Sequence, residues 1–194
     1  MPRPSQVDQK RRELLPIVAR AFAELGYRRA TTAELAARCG VQENILYRLW
    51  PDKKAMFIAA IGAVYEMSVE IWRQVLAGPS RGRSAASRLL AHESENLGRF
   101  GHHRIIFAGL NEIDDPQIRA AMADMYRRYL SFVRDHVLAH RGDAAAAQDA
   151  ESIAWAVIGL GTVATIAKEL RLLDDAARRR LIATTGSILL DADR

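Results

Sequence analysis

Between Leu14 and Trp50, apolar residues recur at helical spacing in three short bursts, and glycines at 26 and 40 close the first two. Short helices joined by tight glycine turns bury their faces only against one another, so this stretch is expected to form a small three-helix unit. The first burst, Leu14, Val18, Ala21, Phe22 and Leu25, ends at Gly26, where a left-handed residue can close a helix. Pro16 falls inside it and removes one backbone donor, so that helix is expected to begin only a turn earlier or to bend. Thr31-Thr32-Ala33-Glu34 reads as a capping box, with the Thr31 hydroxyl accepting from the backbone at Glu34 and the Glu34 carboxylate reaching back. It opens a second helix, from about Thr32 to Cys39, which Gly40 stops.

A third helix is expected from about Gln42 to Leu49, with Leu46, Leu49 and Trp50 turned inward and Val41 anchoring the turn. Gln42, Glu43, Asn44, Tyr47 and Arg48 then face out. Pro51 ends the helix, and Asp52 is suited to cap a fourth that begins at Lys53. Two short helices around a glycine turn, the second presenting amide, hydroxyl and guanidinium groups, have the form of a helix-turn-helix. Charge points the same way. Residues 1–54 carry eleven Lys and Arg against six Asp and Glu, whereas residues 55–194 are balanced at seventeen each. All of the net +5 therefore sits in the first quarter, as a polyanion-binding module would place it.

Residues 12–57 resemble the N-terminal pattern of the TetR family of transcriptional regulators, through Phe22, Gly26-Tyr27, Thr31-Thr32, Leu35-Ala36, Gly40-Val41, Leu46-Tyr47 and Lys53. The family usually has Ser and Gly where this chain has Gln42 and Asn44, Thr in place of Ile45, and His-Phe in place of Leu49-Trp50. These departures bear on which operator is read. The resemblance implies an all-α protein with a DNA-binding domain at 1–54 and a helical effector-binding and dimerisation domain at 55–194. It further implies a ligand-responsive repressor acting as a homodimer on palindromic double-stranded operator DNA. Within that frame Tyr47 and Lys53 would contact phosphates, with Thr32 and Arg28 or Arg29 at the other edge. Base reading would fall to Arg48, which pairs bidentately with guanine, and to Gln42 and Asn44, whose amides suit adenine. Ile45 would touch a thymine methyl, and Glu43 would either accept from cytosine or repel phosphates.

Beyond residue 54 the pattern stays helical, with helices expected at about 84–99, 104–112, 116–140, 147–171 and 174–190 and no strand. Ile153, Val157, Leu160 and Ala164 form an apolar stripe, and Leu181, Ile182, Ile188 and Leu189 supply the last helix. More apolar surface is present than one helical pair can bury, and in TetR-like proteins the two C-terminal helices pack against their symmetry mates. For an effector of mainly apolar character, the aromatic and sulfur-bearing positions Tyr65, Trp72, Phe107, Met122, Met125, Tyr126 and Tyr129 offer an adaptable wall. His92, Glu93, Asn96 and Asn111 are the polar handles.

Other classes find less in the sequence. There is no phosphate loop, no dinucleotide glycine pattern and no locatable nucleophile with partners, so no enzymatic activity and no cofactor is expected. His136 and His140 share a helix face, but a third ligand would have to come from residues such as His102 or His103. A helical metal-dependent enzyme or small-molecule carrier with an incidental basic head is the alternative. No run of about 20 uninterrupted apolar residues suggests a membrane span, and the basic N-terminus lacks a signal-type apolar region. The lone Cys39 fits a reducing compartment, so a cytoplasmic location is expected.

Overall fold

The structure, a computed structural model, describes residues 5–97, 104–142 and 147–191. Among these residues all regular structure is helical: α1 (Gln6–Leu25), α2 (Thr32–Cys39), α3 (Glu43–Leu49), α4 (Lys53–Ala77), α5 (Ala85–Asn96), α6 (Arg104–Leu110), α7 (Pro116–Arg141), α8 (Ala147–Glu169) and α9 (Asp175–Asp191). The chain divides into two compact units, Met1–Met67 with Gly101–Met125, and Ser68–Phe100 with Tyr126–Arg194. Residue 54 lies in the first turn of α4, and the first unit continues to Met67.

In the first unit α1 runs unbroken through Pro16, neither starting late nor stopping there. Leu14, Val18, Ala19, Ala21 and Phe22 bury one face and hold the helix across the missing donor, while the Pro16 ring lies on the exposed side. Ser5 caps its start, accepting from the Asp8 N–H. The α2–α3 turn closes on Gly40, at φ 64°, whose N–H donates to Ala36 and Ala37 carbonyls while the Val41 N–H donates to Ala36. Leu35, Leu46, Leu49, Trp50, Met56, Phe57 and Ile61 fill the core against α1, and the Phe22 and Phe57 rings meet edge-on at 4.9 Å. Helix α6 packs on α1, and its Gly109 receives Met122 of α7, since a Cβ there would stand 2.5 Å from the Met122 Sδ.

The second unit is built on α9, which packs against both α5 and α8. One core cluster joins Ala86, Val137, Ala150 and Leu190, and another joins Leu97, Ala164 and Ile182. His140 is bracketed by Ser84 Oγ at 2.6 Å and Asp191 Oδ1 at 3.0 Å, which ties the start of α5, the end of α7 and the end of α9 together. Buried Arg178 donates to the Leu97 carbonyl at 3.0 Å and so closes the C-terminus of α5.

The absence of an uninterrupted apolar run does not exclude long helices of high mean hydropathy. Lys53–Ala77 and Asp149–Glu169 are each long and apolar enough, by length and composition, to cross a membrane. Their polar residues are spaced so that no uninterrupted run exists, yet the helices pass on average hydropathy. In the fold α4 buries Met56, Phe57, Ala60 and Ile61 in the first unit's core, the ordinary use of such a helix.

Candidate nucleic-acid interface

The geometry of the site begins with the residues that fix α3. Arg11 on α1 donates twice to the Leu49 carbonyl, at 3.1 and 2.6 Å, clamping the C-terminal end of α3. Arg38 on α2 pairs with Glu24 on α1 and, at 2.8 Å, with Glu34 one turn back. Glu34 therefore spends its carboxylate on Arg38 and does not complete the expected capping box, although the Thr31 hydroxyl does accept from the Glu34 N–H at 3.2 Å. Sequence reading missed Arg11 and Arg38 as positioning residues. In the linear chain a basic residue that braces a helix looks the same as one that meets a phosphate.

Held this way, α3 turns Leu46 and Leu49 into the core and leaves Glu43, Asn44, Tyr47 and Arg48 exposed, with Ile45 half-buried beside them. Gln42 stands one residue outside the helix as its N-cap, without a side-chain cap bond, so its amide is exposed and uncommitted to capping. The Tyr47 hydroxyl donates to Thr32 Oγ1 at 3.2 Å, bringing two of the expected backbone contacts together across α2 and α3. Lys53 stands at the start of α4. Its ammonium donates to the Tyr27 and Ala30 carbonyls, each at 3.1 Å, and lies 4.5 Å from the Tyr27 ring centroid. It thus seals the loop after α1 as well as standing at the start of α4. Arg29 donates to the Leu25 carbonyl, and Arg28 pairs with Glu112 just beyond α6 at 2.8 Å while its side chain stays 79% exposed. Lys54 pairs with Asp115 at 3.0 Å and holds that carboxyl below its usual range, helped by the Ile118 and Gln117 N–H groups.

Exposed amides, a hydroxyl and a guanidinium on one short, braced helix can read groove edges, and the flanking groups can reach phosphates. Residues 19–60 match the family model described as bacterial regulatory proteins, tetR family. The chain carries a TetR-family N-terminal domain. Among curated proteins it is similar to the nucleoid occlusion factor SlmA of Pasteurella multocida (strain Pm70), 26% identical over 131 residues, which are 62% of this chain and 61% of that protein. The match thus spans less than two thirds of that relative's length. A structure from Rhodococcus sp. assigned to the TetR-family transcriptional regulators is 16% identical, covers 95% of this chain and 100% of its own, and superposes with a TM-score of 0.79. A structure from Saccharomonospora viridis, described as a transcriptional regulator in complex with choline, is 16% identical over 96% of this chain and 97% of its own, with a TM-score of 0.70. At such identities the likeness is one of fold.

The expected effector residues are distributed over both compact units. In the first, Met122 and Met125 are buried, and Asn111 lines a cleft of about 410 Å³ with Leu25–Arg29, Ala108 and Glu112. Tyr65 and Phe107 belong to that unit too, both half-buried. In the second, the Trp72 indole N–H donates to Glu93 at 2.6 Å and its ring meets Tyr129 at 5.7 Å, while the Asn96 amide donates to the His92 carbonyl at 2.9 Å. Tyr126 stacks with Trp155 at 6.5 Å, and burial raises its phenol against a bond to Thr162. Phe132 and His136, absent from the sequence list, join the Trp72 cluster; their place on its face of α7 follows from helical spacing with Tyr129.

The expected dimerisation residues split likewise. Ala164 and Ile182 are at 0% and 3% exposure in the protomer's own core and offer no surface to a second copy. Ile153 and Leu181 pack at the edges of the same clusters, Val157, Leu160 and Leu189 are half-buried, and Ile188 is exposed. Both ring nitrogens of His140 are engaged and His136 Nδ1 donates to the Phe132 carbonyl, and among the described residues no three His, Cys, Asp or Glu gather as a metal site. His102 and His103 lie outside the described residues.

Proposed function

We propose that the chain is a ligand-responsive DNA-binding transcriptional regulator, a cytoplasmic repressor that acts as a homodimer on a palindromic operator. The observation that carries this reading is α3, which is braced by Arg11 and Arg38 and exposes Asn44, Tyr47 and Arg48 beside Gln42. Its TetR-family match supports the DNA-binding role. Support for a dimer comes from α8, where Trp155, Val163, Ile166 and Leu170 are exposed at eight-, three- and four-residue steps along one face, with Leu172 and Ile188 exposed nearby in sequence and on α9. Gly159 completes that row, with open space where a Cβ would stand, so a second helix can approach closely. A second copy of the same face is the self-complementary occupant that two-fold symmetry supplies.

A two-fold dimer sets two copies of α3 roughly 34–36 Å apart, the spacing of successive major grooves. A small molecule bound in the body acts by favouring a state in which that spacing is lost, which requires unequal affinity for the two states. The reading as a metal-dependent enzyme or carrier gains no support from the described residues. Selection of bound sequences from a random duplex pool tests the proposal. Enrichment of a palindrome with half-sites one helical turn apart is expected, and enrichment of nothing beyond non-specific binding would contradict it.

A further inference from the structure

Glu93 on α5 is a carboxylate of the second unit set among aromatic side chains. It receives the Trp72 N–H at 2.6 Å, and among the described residues no Lys or Arg pairs with it. Burial pushes its carboxyl above the usual range, opposed by the Trp72 bond and by the neighbouring His92. The groups beside it are aromatic. Trp72 stacks on Phe132 at 4.7 Å and 26°, Phe132 stacks on His136 at 4.2 Å, and Tyr129 meets Trp72 nearly edge-on at 5.7 Å, its hydroxyl held to Ser68 at 2.8 Å. Glu93, Tyr129, Phe132 and His136 all remain half-buried, so the cluster is reachable from outside.

A carboxylate half-buried among aromatic rings gains from a partner charge, which those rings cannot supply. Both deficits are met by one kind of guest. A positive centre pairs with the carboxylate and is drawn to the aromatic rings around it, and a quaternary centre does so without any hydrogen-bond donor. An anionic or fatty-acid guest would bring a second negative charge against Glu93. We infer that Trp72, Glu93, Tyr129 and Phe132 form an effector subsite for an organic cation, an amine or quaternary ammonium with apolar substituents, with Glu93 as its counter-charge. The Trp72 indole holds Glu93 in place, and the cation adds a charged partner that no described Lys or Arg provides. This rests on the ligand-responsive reading above and names the class of ligand.

The test is calorimetric titration of the full chain with choline and benzyltrimethylammonium, with 3,3-dimethylbutan-1-ol as choline's uncharged isostere and decanoate as an anion. Each compound is then added to a protein–operator complex. Both cations are expected to bind, choline at least about tenfold more tightly than its isostere. Glu93→Gln should lose about tenfold or more in cation affinity, and Phe132→Leu, which keeps the apolar bulk and removes the ring face, should lose several-fold while leaving the isostere unaffected. Equal binding of choline and isostere, full cation affinity in Glu93→Gln, or no binding of either cation would overturn the inference; Phe132→Leu decides the matter should Glu93→Gln not fold. Operator release by decanoate or by the isostere, with both cations inert, would leave a ligand-responsive regulator standing and the cation subsite refuted. Glu93-dependent cation binding that leaves operator affinity unchanged would uphold the subsite and count against the ligand-responsive reading.

Discussion

Replacing Arg48 by Ala is expected to relax operator preference at one base position by about 1–3 kcal/mol while sparing the others, because the guanidinium stands exposed at the end of a braced helix. Repeating the sequence selection with the variant measures it, and an unchanged consensus would remove Arg48 from base reading. Lys53→Ala should do more than weaken phosphate contact. Its two bonds to the Tyr27 and Ala30 carbonyls hold the loop after α1, so a loss of about 1.5–3 kcal/mol in urea unfolding is expected. Stability equal to that of the unchanged protein would show those bonds to be idle. At this scale the sequence told which side chains sit outward on α3, because helical spacing around Leu46 and Leu49 decides that alone. It did not tell what each cation touches. Arg11, Arg38 and Lys53 reach partners 38, 14 and 26 residues away, and no local pattern encodes such distances.

Helix ends were the next most readable feature, since caps are local chemistry. Thr31, Asp52 and Asp115 each accept from a backbone N–H in the first turn that follows, and Gly26 and Gly40 carry the positive φ their positions require. Pro16 shows where local rules yield to packing, for α1 begins at Gln6, well over a turn before the proline, and stays helical through it. The five buried side chains flanking it supply the missing stability from tertiary contact. Pro16→Ala is therefore expected to raise stability by up to about 3 kcal/mol, read as a shift of the urea midpoint. A fall in stability would mean that the proline is an adapted part of the helix and not a tolerated cost. The start of α3 illustrates the opposite limit: Gln42 was read as helical and serves as N-cap, a one-residue difference that propensity does not resolve.

For the whole molecule, two long apolar helices posed the hardest reading. The sequence indicated that α8 and α9 hold more apolar surface than one helical pair buries, but not which face points in. Of the regular stripe Ile153, Val157, Leu160 and Ala164, the fold buries Ala164 and packs Ile153 at a core edge while Val157 and Leu160 are half-buried; Trp155, Val163, Ile166 and Leu170 are left outside. Only the position of α9 and α5 settles that choice, and these are long-range contacts. Ile166→Glu places a charge in the exposed row, so a monomer is expected by sedimentation, with operator affinity falling steeply because two half-sites are no longer held together. A dimer that survives the substitution would move the interface elsewhere. The most direct measurement of all is titration of a selected duplex at 50 and 200 mM salt, roughly the range over which several phosphate contacts reveal themselves. A regulator whose two heads engage one palindrome should bind as one dimer per duplex and lose on the order of 10³–10⁵ in affinity across that interval. Binding that is indifferent to salt, or of one protomer per duplex, would contradict a dimeric DNA-binding regulator.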